Sequence, residues 1–472
     1  MDKPSDISLP DADWQQTPES VQAVVSALWS RVQQLEETVA TSRNSSRPPS
    51  SDGADVVKPS PRRSGRKPGG QAGHPGQGRR LVPLEQVDEV VAVKPTHCSH
   101  CSGILSGVDP HPQRHQVSEI PPVQAQVTEY QLHTLCCPQC QLLTPAPWPT
   151  GVPTRAFGPR VQALVSLLSG AYRLSKRQIQ TLLSDGFGVK MALGTVSPLE
   201  QATSQALVEP VDAAHRYIQH QAATNADETS WREGQRKAWL WTVVTSWVSV
   251  FVIRFSRGSQ VVHELLDDSF EGVVGSDRRS AYSYLPLGQR QLCWAHLKRD
   301  FQAFVDRGGE SAQVGEVLLE LTDQMFGWWY RVRDGTLKRS SFQTYMADLK
   351  LRMHLYLWIG QEGPHAKTAA TCREVLKVEK ALWTFVSKEG VEPTNNAAER
   401  ALRPAVLWRK SSFGTHSEAG SRFVERIMTV VATLRQQNRP VLDYLIQAAQ
   451  AQLEGHTPPS LLPDKKRCVA LK

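Results

Sequence analysis

YIQHQAATNADETSW (217–231), AWLWTVVTSWVSVFVIRF (238–255), EGVVGSDRRSAY (271–282) and RQLCWAHLKRDFQAFVD (290–306) together decide the fold. The first opens as a strand-like run, YIQHQAAT, and leads to Asp227. AWLWTVVTS and WVSVFVIRF alternate as the two arms of a hairpin, residues 259–268 suit a helix, and EGVVGS is a short strand ending at Asp277. RQLCW is another strand and AHLKRDFQAFVD a helix. Three strands, a helix, a strand, a helix or loop, a strand and a helix make a mixed sheet flanked by helices. Asp227 and Asp277 are then expected at the ends of the first and fourth strands, where adjacent strands bring their carboxylates together.

A third carboxylate is offered by PTNNAAERALRP (393–404). Thr394 or Asn395 can cap a short helix that Pro404 ends or kinks. Asn395, Glu399 and Arg403 share one face at i, i+4 and i+8, so Arg403 is placed to position Glu399 or to contact a DNA phosphate. Three acids of this kind suit two Mg²⁺ or Mn²⁺ ions, because oxygen ligands select hard cations. A pair of such ions supports in-line phosphoryl transfer, with water for strand cleavage or a DNA 3′-hydroxyl for joining. Taken singly, each acid is a surface group or a cap; only their shared placement raises them to a candidate site.

Outward toward the N-terminus, residues 18–41 form a predicted helix capped by Thr17. Val21, Val25, Leu28, Val32, Leu35 and Val39 follow a heptad spacing, with Val at a and Leu at d, the pattern of a parallel dimeric coiled coil. The other reading is a helix packed on its own domain. Residues 42–80 are rich in Pro, Gly, Ser and Arg and cannot build a core. Within them Lys58, Arg62, Arg63, Arg66, Lys67, Arg79 and Arg80 make a basic arm suited to phosphates without sequence reading.

Cys98-Ser-His-Cys101 and Cys137-Pro-Gln-Cys140 are two cysteine knuckles, expected to complete a closed structural Zn²⁺ shell across a gap long enough for a few strands. His97, His100, His133 and Cys136 compete as ligands. Residues 155–208 read as helix, Gly-containing turn, helix, compatible with a helix-turn-helix or with a plain helical packing subdomain. Ser175 caps KRQIQTLLSD, whose Lys176 and Arg177 are DNA-binding candidates, whereas the third helix carries Glu200 and no nearby Lys or Arg.

The 472 residues imply roughly three domains plus linkers. A net charge of +8 is modest for that length, so its concentration in the basic arm matters more than its total. The polar N-terminus MDKPSDISLPDAD lacks the pattern of a secretory signal, and the longest apolar stretch, 238–253, is shorter than the ~20 residues of a membrane span. A reducing compartment follows, where clustered cysteines favour metal over disulfides.

NSSRPPSSD (44–52), RKPGGQAGHPGQGRR (66–80), both knuckles, DETSW (227–231), SDRRSAY (276–282), CWAHLKRDF (293–301) and the block from Thr394 to Gln437 resemble the insertion sequence 66 family of bacterial transposases. That resemblance implies an RNase H-like catalytic domain with a DDE triad, in which Asp227, Asp277 and Glu399 correspond to the first, second and third acids. It also makes Cys293 and His296 of CWAH a motif in which the histidine supports the site; the alternative is a histidine packed at a helix start. A helical insertion before the third acid is implied as well.

The implied architecture is multidomain α+β. It comprises a coiled-coil helix (1–43), a basic linker (44–82), a zinc domain (83–150) and a helical DNA-binding region (151–212). The catalytic core follows (213–306), with its insertion (307–390), its last part (391–438) and a C-terminal helix and tail (439–472). The implied activity is cleavage at an element's terminal inverted repeats and joining to target DNA, by a homo-oligomer in the bacterial cytoplasm at the nucleoid, with accessory proteins of the same element as possible partners. The alternatives are a nuclease or resolvase of the same fold that does not join strands, and an inactive DNA-binding regulator.

Overall fold

The computed structural model describes residues 10–39 and 81–464. The basic arm, with Arg62, Arg63, Arg66, Lys67, Arg79 and Arg80, lies outside them, as does nearly all of the 44–82 linker. The chain divides into two compact units, Val57–Gln126 and the remainder.

In the larger unit the helices α1 (Asp11–Gln16) and α2 (Glu19–Val39) come first. Thr17 does not cap α2: its hydroxyl donates back to the Asp13 carbonyl at 2.9 Å. Val21, Leu28 and Val32 on the heptad seam are exposed. The hairpin β1 (Thr134–Cys136) and β2 (Leu143–Pro145) follows, then α3 (Pro159–Gly170), α4 (Lys176–Phe187), α5 (Val196–Ala206) and α6 (Val208–Gln219). Ser175 caps α4 as expected, in a reciprocal box with Gln178. Between the two knuckles the expected few strands are absent among the described residues, where β1 is the one strand and comes just before the second knuckle.

The central sheet comprises β3 (Ala223–Glu233), β4 (Arg236–Val244), β5 (Ser249–Arg254), β6 (Val273–Ser276) and β7 (Arg290–Leu292), with α7 (Ser259–Leu266) between β5 and β6. Its spatial order is β5-β4-β3-β6-β7. The first three strands are antiparallel, and β3, β6 and β7 are parallel. The mixed sheet read from the sequence is therefore present. One element differs. Tyr217–Gln219 belong to α6, whose Pro210, Ala214 and Ile218 are buried at helical spacing. The first strand starts later and runs on through DETSW, because Thr229 and Trp231 pair with Leu240 and Ala238. Asp227 thus sits within an eleven-residue strand and not at its end.

After β7 come α8 (Trp294–Asp306), α9 (Gly309–Arg333), α10 (Arg339–Glu362), α11 (Ala366–Lys377) and α12 (Thr384–Ser387), then α13 (Asn396–Ser412), α14 (Glu418–Gln436) and α15 (Val441–Glu454). Helices α9 to α12 fill the 307–390 span, which is helical as expected. Their core is continuous with α8: Trp294, Leu297, Phe301 and Phe304 pack with Leu318, Leu321, Met325, Phe342 and Met353. On one face of the sheet Trp231, Leu240, Phe251 and Ile253 pack against Leu402 and Ala405 of α13 and Val424 and Met428 of α14. Each such large side chain contributes about 1.5–3 kcal/mol on burial. Pro404 lies inside α13 and does not end it.

Both sheet edges are closed by side chains. Along β5 the amides of Ser249, Phe251 and Ile253 donate to Thr433 Oγ1 (3.1 Å), Thr429 Oγ1 (3.0 Å) and Glu425 Oε1 (2.5 Å) of α14. Four residues of helix rise ~6 Å and two of strand ~6.8 Å, so the two ladders stay nearly in step. Along β7 the Thr384 hydroxyl donates to the Arg290 carbonyl at 2.6 Å.

Helix α5 packs against α3, α14 and α15. Its exposed residues are Pro198, Gln201 and Gln205, none of them basic. Where α3 crosses α14, a methyl group at Gly170 would run into the fully buried Ile427. Gly170→Ala is expected to cost about 1–3 kcal/mol through overpacking, measured by urea unfolding beside an exposed control such as Gly288→Ala, which meets no neighbour.

Candidate active site

Strands β3 and β6 pair in parallel with Asn225 opposite Gly275. Continuing that register by two residues sets Asp227 beside Asp277, which follows the last residue of β6. Side chains alternate along β3, so Asp227 shares the face of Trp231, toward α13, while Glu228 points to the opposite face. Asp277 Oδ1 accepts from the Arg279 amide at 3.0 Å, a turn that fixes its carboxylate at the strand terminus.

Glu399 arrives on the first turn of α13, and Asn395 determines where that turn begins. Asn395 is fully buried. Its side-chain amide donates to the Ala226 carbonyl, next to Asp227, at 3.4 Å, and its backbone N–H donates to Cys293 Sγ at 3.4 Å. The Trp294 amide donates to the Pro393 carbonyl at 3.0 Å. The β7–α8 junction and β3 therefore hold the same three-residue entry to α13. Asn395 occupies the N-cap position without a side-chain cap bond, a departure from its expected capping role. Its side chain is used across the fold instead.

Cys293 Sγ, a His296 ring nitrogen and a Glu399 carboxylate oxygen lie within 4.8 Å of one another. His296 Nδ1 is 3.7 Å from Glu399 Oε1. Both of these atoms, and Asn395 Oδ1, are buried and find no hydrogen-bond partner among the described residues. Burial lowers the His296 pKa against the raising field of Glu399, which favours the neutral ring. Burial pushes the Cys293 thiol up to about 12.

Asp227 is held well above the usual carboxylate range, first by burial and then by the charges of Glu228, Asp277 and Glu399. The unpartnered buried atoms Glu399 Oε1 and His296 Nδ1, beside carboxylates that raise one another, are ones a divalent cation would satisfy; among the described residues the close group of three ligand-type side chains is Cys293, His296 and Glu399, without Asp227 or Asp277.

The sequence left Glu228 unassigned, although it adjoins Asp227. Its side chain is almost fully buried and meets Arg257 at 2.9 Å and Arg279 at 2.9 Å. The Tyr282 hydroxyl donates to it at 3.1 Å. Arg279 also reaches Asp277 at 3.4 Å, and Arg257 lies over the Trp239 ring at 4.0 Å. SDRRSAY therefore carries the second acid together with two partners of Glu228. Adjacent acids on a strand face opposite ways, which is the signal that could have separated their roles.

Arg403 is exposed and makes no ion pair with Glu399 among the described residues, so it does not position that acid. The residue that clasps α13 to β3 is Arg409, donating to Thr229 Oγ1 at 3.0 Å and to the Ser230 carbonyl at 2.6 Å. Lys176 bonds to Ser197 and lies 3.7 Å from Glu200, which ties α4 to α5; Arg177 is exposed.

The two knuckles adopt one conformation. Cys98 N–H donates to the Gly103 carbonyl (2.8 Å) and Cys137 N–H to that of Leu142 (2.9 Å), while Ser102 and Gln141 N–H return to the Cys98 and Cys137 carbonyls. Ser102 and Gln141 both have left-handed φ, 55° and 57°. Backbone N–H groups directed at sulfur, first those of Cys101 and Cys140, lower the pKa of Cys98 and Cys137. The competitor Cys136 turns its thiol to the Gln141 carbonyl at 3.4 Å.

A family model described as Transposase IS66 family matches residues 156–422, more than half of the chain. Residues 7–80 match a family of unknown function (DUF6444). The chain is 28% identical over 247 residues to "Uncharacterized protein y4qI" of Sinorhizobium fredii, a match covering 46% of this chain and 44% of that protein's length. No helix among the described residues is long and apolar enough to cross a membrane.

Asn395→Ala removes a buried bridge and leaves the Ala226 carbonyl short of a donor. It is expected to cost about 1–3 kcal/mol, read by urea unfolding against the exposed control Gln201→Ala.

Proposed function

The chain belongs to the IS66 transposase family, and from that premise we propose that it cuts and joins DNA at the ends of a bacterial insertion sequence, with Asp227, Asp277 and Glu399 as a DDE triad on an RNase H-like core. What supports this reading is that Asp277 and Glu399 both raise the Asp227 pKa, and that Glu399 Oε1 and His296 Nδ1 are buried without a hydrogen-bond partner among the described residues. The strand order, with an antiparallel β5-β4-β3 continued by parallel β6 and β7, supports the RNase H-like assignment.

Asp227, Asp277 and Glu399 would hold two Mg²⁺ or Mn²⁺ ions, which when bound assist the attacking and leaving oxygens of an in-line displacement. The protein's own groups set the geometry. Asp277 is anchored by the Arg279 amide and guanidinium. Glu399 is carried on a helix fixed to β3 at both ends, by Asn395 and by Arg409. The His296 ring stands 3.7 Å from Glu399 and limits where that carboxylate can turn. Exposed Arg403 and Arg177 and the basic arm are available to DNA phosphates.

The cysteine knuckles are proposed as a structural zinc centre, because each turn directs backbone N–H groups at its first cysteine, which lowers the pKa of Cys98 and Cys137. The exposed heptad seam of α2 is proposed to pair with a second copy.

A labelled duplex of the DNA flanking the gene, incubated with Mg²⁺ and a target plasmid, tests the activity. Joined product supports the transposase, cleavage without joining favours the nuclease, and binding alone, unchanged in Asp227→Ala, favours the regulator. Asp277→Asn is expected to abolish cleavage and joining, by more than ~100-fold, since losing a group that merely supports a metal ligand already costs about 10–100-fold. End binding should stay within a small factor; equal loss of binding would assign Asp277 to folding. Replacing Cys98 and Cys101 together by Ser should release bound zinc, measured by elemental analysis, and weaken end binding; full metal content in that variant would remove the zinc proposal.

A further inference from the structure

A cavity of about 450 Å³ opens between the loop after Asp277, the start of β7 and helix α11, with Arg278, Ser283, Arg290, Thr371 and Glu374 among its lining residues. Two of its charges are matched. Arg278 pairs with Asp300 at 2.5 Å, and Glu374 is held by Lys377 at 2.6 Å. Arg290 is different. It is 3% exposed, its Nε is buried without a hydrogen-bond partner, and no carboxylate pairs with it among the described residues.

An arginine cannot shed its charge to escape burial. Burial opposes the charge of Arg290, and Asp277 nearby is what favours it. Packing alone does not account for a guanidinium here, because an apolar side chain of similar length fills the same volume without a desolvation penalty. A planar fork of N–H donors facing a cavity, with hydroxyls on the walls, is the arrangement that recognises a phosphate through paired charge-assisted hydrogen bonds. The location narrows the source of that phosphate. Arg278 directly follows Asp277, so one loop forms both the cavity wall and part of the acid cluster. A strand whose reacting phosphate lies at Asp277 has neighbouring phosphates beside that loop.

We propose that this cavity binds one backbone phosphodiester of the DNA, other than the one being cut, with Arg290 as its principal ligand and Ser283 as a hydroxyl donor; the Thr371 hydroxyl, which donates to the Lys367 carbonyl at 2.9 Å, forms the wall. The proposal rests on the reading of the chain as a DNA-processing enzyme. Glu374, neutralised by Lys377, does not contact the phosphate.

The test uses the full chain and fluorescence anisotropy with a labelled duplex of the gene's flanking DNA, for wild type and Arg290→Gln. Loss of one phosphate contact should reduce the slope of log affinity against log salt by about 1. In a scan of duplexes each carrying a single uncharged methylphosphonate, one position should weaken wild type and leave Arg290→Gln unaffected. Without DNA, Arg290→Gln should melt no lower than wild type, since it removes an unpaired buried charge. If that variant does not fold, Thr371→Asp, which sets a negative charge in the half-buried wall, should show the same loss at the same position. A folded variant with unchanged slope and no coupled position overturns the proposal. So does stabilisation of wild type by inorganic phosphate without any coupled position, which would mark a free-anion site. Failure of wild type to bind any duplex removes the DNA reading and this site with it; that outcome is distinct from wild-type binding that is indifferent to Arg290.

Discussion

The buried amide of Asn395 is the contact on which the rest of the site depends. Three elements far apart in sequence must agree to within a hydrogen bond for the acids to meet: β3, the β7–α8 junction and α13. Asn395 touches all three, through Ala226, through Cys293 and as the residue from which α13 starts. Glu399 lies one turn later on a rigid helix, so an error at Asn395 would be carried directly into the carboxylate. The insertion α9 to α12 separates α8 from α13 along the chain. Because its core is continuous with α8, the long excursion returns to the sheet at a defined place.

The site keeps its charges in two layers. On the β3 face toward α13, Asp227 is raised by the charges of Asp277 and Glu399, and among the described residues no lysine or arginine pairs with Asp227 or Glu399. On the opposite face Glu228 is surrounded by Arg257, Arg279 and Tyr282. Only Arg279 reaches both layers. The first layer is therefore costly to fold in isolation, a strain of the kind that functional sites store, while the second holds the strand rigid from behind. Nearby, Arg290 is buried with its Nε unpartnered among the described residues.

Much of this was legible in the sequence. The alternating runs of 238–255 gave the hairpin directly, and EGVVGS and RQLCW read as strands because short apolar runs bounded by turns leave little else. Asp277 was placed correctly since a strand must end where Asp-Arg-Arg begins. Asp227 was not, because DETSW is polar and looks like a loop, yet its pairing with the apolar Trp239–Thr242 segment of β4 keeps it extended. YIQHQ misled in the other direction: Ile218 is the last apolar residue of a helix whose earlier positions, Pro210 and Ala214, carry little hydrophobic signal. Glu228, Arg290 and the bridging role of Asn395 were not legible at all. Glu228 and Asn395 depend on partners 29 and 169 residues away, and Arg290 on burial that only the fold supplies; no local pattern encodes such placements.

The ladder of Thr433, Thr429 and Glu425 along β5 also bears on how copies of this chain come together. A sheet grows by offering free amides and carbonyls at its border to a visiting strand. Here one border is saturated by side chains spaced to a helix's pitch, and at the other Thr384 occupies the Arg290 carbonyl. Addition of a visiting strand along β5 is thereby opposed, so the proposed pairing of copies falls to helical surfaces such as the exposed seam of α2.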